Sequence, residues 1–330
     1  MPRPFNVLLS SAGRRVALLG LFRRSLRELG LPGEVIASDM SRLSSAFHAA
    51  DRAVQVPACQ SEQFVPDLVE VCRAHAVRLV VPTIDTELAV LAANRDRFAA
   101  VGATVVVSDP ETVAIGSDKE LTHAWLERNR FPTVRQTTAR EAVEDRDGWP
   151  LPLVVKPRWG SASIGVGVVR SHEELELAAR RPDMVAQTLA PGTEHTIDVL
   201  VDGAGRAVCA VPRRRLEVRA GEVSKGVTVR CPTVAQLVRR MCETLPGAYG
   251  AVTVQVFLDD AEGEPRVIEI NPRFGGGFPL SWEAGARFPR WLIEEVAGLP
   301  STADADGWRD GLVMLRYDDA VFVDARDAGL

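Results

Sequence analysis

Val267-Ile268-Glu269-Ile270-Asn271-Pro272-Arg273, followed closely by Gly275-Gly276-Gly277, reads as a strand that ends in a proline and runs into an open glycine-rich turn. In an extended chain successive side chains point to opposite faces, so Glu269 and Asn271 fall on the same side. A carboxylate and an amide oxygen two positions apart suit a shared hard cation such as magnesium. Upstream, 252–258 is a second strand carrying Gln255, and the turn at 260–263 folds the two strands into a hairpin that brings Gln255 beside Glu269. Three oxygen-bearing side chains then converge. An isolated Glu-x-Asn pair usually just caps the loop that follows it. Here Arg273 and the three glycines add a cation and accessible amides, which shifts the reading toward a site for developing negative charge.

Working outward, Val154-Val155-Lys156-Pro157 places a lysine on an apolar strand directly before Gly160-Ser161-Ala162-Ser163-Ile164-Gly165. The lysine offers a point charge and the turn offers backbone donors, a combination suited to a polyphosphate. A glycine-rich turn alone is more often a plain hairpin connection. The sequence GxxxxGK[ST] is absent, which excludes a P-loop. Further on, Gln187-Thr188-Leu189 leads through Gly192 to Glu194, where a strand turns and returns over 195–201. In a nucleotide cleft such a segment presents backbone groups to a base, and Glu194 accepts from ribose hydroxyls.

The first third alternates short apolar runs (6–9, 34–38, 79–81) with helical patterns (15–29, 64–75), which predicts a parallel sheet flanked by helices. The turn Ser10-Ser11-Ala12-Gly13 after the first strand and Asp39 after the second resemble half a dinucleotide site. GxGxxG is missing, however, and a tight strand-to-helix turn is the better reading. A last strand over 103–108 and a connector opening at Pro110 put a boundary near residue 110. Beyond it come an amphipathic helix over 119–130, a strand over 166–170, a helix over 173–181 and strands over 184–188 and 207–211. This second part is α+β and rich in antiparallel pairs, without internal repeats.

Taken together and in this order, these residues resemble the ATP-grasp superfamily, in particular carbamoyl phosphate synthetase large-subunit halves, biotin carboxylase and small carboxylate-amine ligases. The resemblance covers nearly the whole chain. It implies an ATP-grasp fold of mixed α/β and α+β class. Residues 1–110 would form a Rossmann-like parallel-sheet lobe and 111–185 a first ATP-clamping subdomain. Residues 186–330 would form the second, with a C-terminal extension. By the same resemblance Lys119 and Lys156 face phosphates, Ser161, Ser163 and Ile164 belong to the glycine-rich lid, Gln187, Thr188 and Leu189 contact adenine, and Glu194 contacts ribose. Gln255, Glu269 and Asn271 hold two magnesium ions, with manganese as an alternative, Glu269 bridging them. Arg273 steadies an acyl phosphate, and a tetrahedral oxyanion sits near Arg273 and the amides around Gly276. Gln255 departs from the carboxylate of many relatives and matches the carbamoyl phosphate synthetase type.

The implied activity is an ADP-forming ligase that joins a small carboxylate, an amino acid for example, to an amine. Candidate substrate residues at the sheet edge are Ser11, Arg14, Arg15, Thr83, Asp85 and Glu87, an arginine for a carboxylate and Asp85 or Glu87 for an ammonium. Arg14 and Arg15 equally suit a water-facing first turn of helix. The basic run 213–225 falls where relatives carry a mobile substrate loop, with Arg219 and Lys225 as candidates, although basic runs are usually solvated faces. Three other readings stay open: a carboxyphosphate-forming enzyme, a silent ATP-binding module and a dinucleotide oxidoreductase.

Composition narrows the field. With 330 residues, 46% of them hydrophobic, the chain can bury a large core. A net charge of -5 and no basic arm argue against nucleic acid as a partner. Charged residues interrupt every apolar run short of a bilayer span, and the first ten residues lack a signal-peptide pattern, so no membrane partner and a cytoplasmic location are expected. A homodimer is compatible with the resemblance. The five cysteines show no paired spacing, and the five histidines show no metal spacing, His195 reading as a structural contact.

Overall fold

The computed structural model describes residues 4–160, 164–219, 221–259 and 263–330. Among them the strands form three sheets. The first, in the order β3-β2-β1-β4-β5, contains β1 (Asn6–Ser10), β2 (Val35–Asp39), β3 (Arg52–Gln55), β4 (Val77–Pro82) and β5 (Thr104–Val105). All of its pairings are parallel. Val7, Leu8, Leu9, Val35, Ile36, Val80 and Val81 are fully buried, as strands covered on both faces must be. The strand order reverses between β1 and β4, so their carboxyl ends open a crevice of the kind in which such sheets bind ligands. The expected strand over 103–108 shortens to Thr104–Val105, and 110–117 is a helix with Pro110 in its first turn rather than a plain connector.

The second sheet, β6-β9-β7-β8, is antiparallel and contains β6 (Gln136–Thr138), β7 (Leu153–Pro157), β8 (Gly167–Val169) and β9 (Met184–Thr188). Helices Ala139–Glu144 and His172–Ala179 cover one face, each opened by a capping box from Thr138 or Ser171. The third sheet, β14-β13-β10-β11-β12-β15, is also antiparallel. It is built from β10 (Thr193–Val201), β11 (Ala207–Arg219), β12 (Glu222–Thr228), β13 (Gly250–Leu258), β14 (Pro265–Asn271) and β15 (Val313–Leu315). The run expected as a mobile loop over 213–225 is therefore a β-hairpin. Arg213 to Arg219 continue the strand that begins at Ala207, because Val223, Gly226 and Thr228 pair opposite them.

Two helices invisible in the sequence reading, Phe278–Ala284 and Phe288–Ala297, lie between the third sheet and the first. Their apolar faces share one core with the helix Val16–Glu28. Phe274 meets Phe22 edge-on at 6.0 Å and Phe278 at 4.8 Å, and Phe278 packs on Phe288 at 5.1 Å. Such pairs add to the area they bury. This ladder starts one residue after Arg273, so burial of the aromatic run fixes where the end of β14 faces. No helix among the described residues is long and apolar enough to cross a membrane.

Candidate functional site

In the β13–β14 hairpin Gln255 pairs with Glu269 and Thr253 with Asn271, but plain alternation alone does not give this: Val256 pairs with Val267, and a bulge that skips Ile268 shifts the register by one residue. Val254, Val256, Val267 and Ile270 are fully buried in the core, and the bulge at Ile268 lets Glu269, two positions after the buried Val267, join Gln255 on the opposite face, toward a cleft. Most of the expected turn, 260–262, lies outside the described residues. The cleft holds about 270 Å³ and is lined by Gln255, Glu269, Asn271, Arg273 and the three glycines, with Asp85 and Arg15 reaching in from the first sheet.

Lys156 on β7 is 5% exposed. Burial pulls its ammonium down to about 8, against the opposing pull of Glu269. Lys119 opens the helix Lys119–Arg128, and its Nζ donates to Gly160 O at 2.9 Å. Burial lowers this lysine too, and Glu269 again acts against the shift. Both cations therefore lie within the field of the same carboxylate. Asp118 caps that helix by accepting from Glu120 N at 2.9 Å and is gripped by Arg158 Nε and Nη2 at 2.9 and 2.6 Å, which fixes the backbone beside Lys119.

Gln187 is 5% exposed on β9 and donates to Gln136 Oε1 at 2.6 Å, and Gln136 donates in turn to Lys119 O at 3.0 Å. The hinge strand and the first lysine are thus wired together. Thr188 is half-buried, and Leu189 and Ile164 are 42% and 78% exposed. Ser161 and Ser163 lie outside the described residues. Gly192 has φ +86°, and a Cβ there would sit 1.9 Å from Leu258 O, so the hinge needs glycine to pass the end of β13. Glu194 is ion-paired with Arg215 at 2.5 Å, a bond a ribose would have to share. His195 is buried, with Nδ1 3.0 Å from Thr193 O, a structural contact.

At the first sheet the expected substrate residues divide. Glu87 is fully buried and accepts from Ser10 Oγ, Ser11 Oγ, Thr83 N and Ile84 N at 2.6, 2.9, 2.8 and 3.2 Å. Thr83 Oγ1 donates to Ser11 O at 2.7 Å. Glu87, Ser11 and Thr83 are consumed in bracing the β1 and β4 turns, which leaves Glu87 no face for an ammonium. Asp39 accepts from Gly13 N at 2.7 Å and so closes the turn rather than awaiting a ribose. Arg14 is exposed, whereas Arg15 enters the cleft. Burial lowers the Arg15 guanidinium, helped by the nearby charge of Arg273 and opposed by Glu222 and Asp85.

Asp85 is taken by Arg273. Its two oxygens accept from Nε and Nη2 at 2.7 Å each, a bidentate pair between residues 188 positions apart. Arg273 also donates from Nη1 to Phe274 O at 3.2 Å. An ammonium at Asp85 would have to compete with this guanidinium.

The hairpin β11–β12 corrects the remaining candidates. Arg219 and Lys225 form exposed ion pairs with Asp318 and Glu217 and do not line the cleft. Arg213, Arg215 and Glu222 line it instead. Strand alternation would have grouped 213, 215 and 219 on one face, but bulges on either side of Glu217 break the register. Arg213 is 1% exposed and bound by Asp198 at 2.7 and 2.9 Å, while Asp198 also accepts from Ser281 Oγ at 2.5 Å. Gly277 packs on this arginine: a Cβ there would lie 2.4 Å from Arg213 Nη1.

The chemistry of the donor set can be tested for a metal. Among the described residues no group of three or more His, Cys, Asp or Glu side chains is placed to hold a metal ion. One carboxylate and two amides, Glu269 with Gln255 and Asn271, fit an ion that takes few protein ligands and completes its shell with water and phosphate, as magnesium does.

Two family descriptions match the chain: a PylC-like N-terminal domain over residues 7–106 and an ATP-grasp domain over residues 116–277. The carbamoyl phosphate synthase large chain of Methanobrevibacter smithii is 22% identical over 85% of this chain and 28% of its own length. The D-alanine–D-alanine ligase of Mycolicibacterium gilvum is 36% identical over 59% of this chain and 61% of its own. The chain thus spans about a quarter of the first relative and three fifths of the second. Among solved structures, the biotin carboxylase domain of Hydrogenobacter thermophilus 2-oxoglutarate carboxylase, in complex with MgADP and bicarbonate, superposes with a TM-score of 0.71 at 18% identity, covering 94% of this chain and 74% of that one. The N5-carboxyaminoimidazole ribonucleotide synthetase of Thermotoga maritima gives 0.67 at 19% identity, covering 91% and 77%. With one matched domain over the first sheet and the other over the lysines, the hinge and the metal-type hairpin, the chain belongs to the ATP-grasp family.

Proposed function

We propose that the chain is an ATP-dependent ligase that activates a carboxylate as an acyl phosphate and passes the acyl group to an amine, releasing ADP and phosphate. The observation that supports this best is the convergence of Gln255, Glu269, Asn271 and Arg273 on one cleft, with Lys119 and Lys156 close enough to feel the charge of Glu269. Gln255, Glu269 and Asn271 would hold magnesium, which supplies positive charge against phosphate oxygens. Lys156 offers its buried cation to the same phosphates, where attack by a carboxylate oxygen on the γ-phosphorus spreads negative charge. Lys119 donates to Gly160 O and would turn toward the same phosphates. Arg273 is oriented by Asp85 and still has an Nη1 hydrogen for an acyl phosphate oxygen. The Gly275–277 segment supplies backbone beside that position, with Gly276 open to the cleft. In this reading 1–110 carries substrate-facing residues, 111–185 the phosphate lysines and 186–330 the hinge and metal ligands, although the hinge residues Gln187 and Thr188 lie on β9 of the second sheet.

The test is phosphate release from ATP over a panel of amino acids, singly and in pairs. Glu269→Gln should abolish ADP formation while circular dichroism stays unchanged. Full activity in that variant would refute the site assignment. A second acid, bicarbonate, is favoured by the extent of the match to carbamoyl phosphate synthase and by Gln255. Turnover that requires bicarbonate and no amino acid would select it.

A further inference from the structure

A second chamber of about 840 Å³ adjoins the cleft. Arg15, Thr83, Ile84, Glu222, Gly275 and Gly276 line both, so the two spaces meet at this junction. Beyond it the chamber runs between the start of the helix Val16–Glu28 and the C-terminal segment 314–321. Val16, Phe278, Pro279 and Met314 supply apolar wall, and the exposed Arg14 and Asp318 stand at its rim.

The junction carries two opposite charges across a single glycine. Arg15 Nη1 and Glu222 Oε1 each lie 3.0 Å from the point a Cβ would occupy on Gly276. They form no ion pair with one another, and among the described residues the Arg15 guanidinium makes no hydrogen bond at all. Glu222 is held from its other oxygen: Arg316 Nη1 donates to Oε2 at 2.9 Å, and Arg316 N donates to Ser224 O at 3.0 Å. The C-terminal segment thereby sets the orientation of Glu222 and walls the chamber at once. Two half-buried opposite charges, close but not paired with one another, with the Arg15 guanidinium and Glu222 Oε1 both left for a ligand, are complementary to a zwitterion.

We propose that this junction binds an α-amino acid substrate with a large apolar side chain. Its carboxylate lies at Arg15 on the Arg273 side, its ammonium at Glu222 Oε1, and its side chain in the second chamber under 314–321. The chamber's size falls in the range of small-molecule sites. Ile84, 36% exposed at the junction, supplies apolar contact next to the α-carbon. A simple carboxylic acid would leave Glu222 Oε1 without a partner, and a simple amine would leave Arg15 without one. The proposal names the acid of the ligase reading and rests on that reading for the phosphorylation step, but not for binding.

Titration calorimetry on the full chain tests it, with L-phenylalanine, glycine, phenethylamine and 3-phenylpropionate as probes and MgADP titrated separately. L-phenylalanine should bind, and each of the other three should bind at least about tenfold more weakly. Arg15→Ala and Glu222→Gln should each weaken L-phenylalanine about 10- to 100-fold while leaving MgADP affinity within about twofold. Met314→Trp, which fills the chamber, should weaken L-phenylalanine but not glycine. Equal binding of glycine and L-phenylalanine, an unaffected Met314→Trp variant or no binding of any amino acid would overturn the proposal. L-phenylalanine binding without any MgADP binding would leave it standing and refute the ligase reading instead.

Discussion

Lys156 places a cation inside the protein before any phosphate arrives, and removing that cation should make the ligand-free protein more stable. The side chain is 5% exposed, and burial lowers its ammonium from 10.5 to about 8. A displacement of this size corresponds to about 3 kcal/mol of unfavourable free energy when the lysine is charged in the folded state. The sign follows from proton counts. Between pH 8 and 10.5 the unfolded chain keeps a proton on this lysine that the folded chain has released, so the contribution to stability rises with pH through that window. Below pH 8 the penalty is complete, and above 10.5 it is gone. Lys156→Met keeps the length and apolar stem without the charge. At pH 7 it should be more stable than the parent by up to about 3 kcal/mol, an increase of about 5 °C in Tm. The difference should shrink steadily as the pH approaches 10. The same variant should lose MgATP affinity, measured by calorimetry at pH 7. Paired thermal scans of the parent and the variant from pH 7 to 10 check this, because titrating groups away from Lys156 cancel in the difference and only its neighbours Glu269 and Lys119 add to it. A variant less stable than the parent at pH 7, or a difference that does not change with pH, would refute the claim that an uncompensated cation is stored at Lys156.

The remaining predictions concern how the site is held. Asp85→Asn should leave MgATP affinity within about twofold and lower substrate-dependent phosphate release about 10- to 100-fold, since it removes a bidentate charged partner of Arg273. Steady-state kinetics with separate kcat and KM would show it. Glu87→Ala strips four donors of their shared acceptor and should cost about 3 kcal/mol or more of stability in a urea titration. Arg219→Ala and Lys225→Ala, which break exposed pairs away from the cleft, should leave phosphate release within about twofold of the parent.

Where the site was readable from sequence, it was because the relevant geometry is local. Glu269 and Asn271 share a face by the two-residue repeat, whereas Gln255 joins them only through a bulge: the register set by the turn would put Ile268 opposite Gln255, and nothing local in the sequence reveals the slip to Glu269. Lys156 is conspicuous because a lysine interrupts an otherwise apolar strand run, Leu153–Pro157. The hairpin at 213–228 was missed because four arginines within seven residues resemble a solvated loop, whereas Asp198 and Glu194 on β10 neutralise two of them from the neighbouring strand. Glu87 looked available to an ammonium because nothing in its neighbourhood in sequence reveals that Ser10 and Ser11, on a strand 76 or more residues earlier, bring hydroxyls to it.

The sequence by itself determined that Glu269 and Asn271 lie on one strand face, that a lysine strand precedes a glycine-rich turn, and that a parallel-sheet lobe comes first. Strand alternation, turn chemistry and apolar periodicity act over a few residues and need no partner to be read. Only the tertiary structure decided that Arg273 meets Asp85, that Arg15 and Glu222 face each other across Gly276, and that the C-terminal segment turns back over them. Those pairings depend on burying the aromatic ladder from Phe22 to Trp291, a collective packing term in which no single stretch of sequence carries the register.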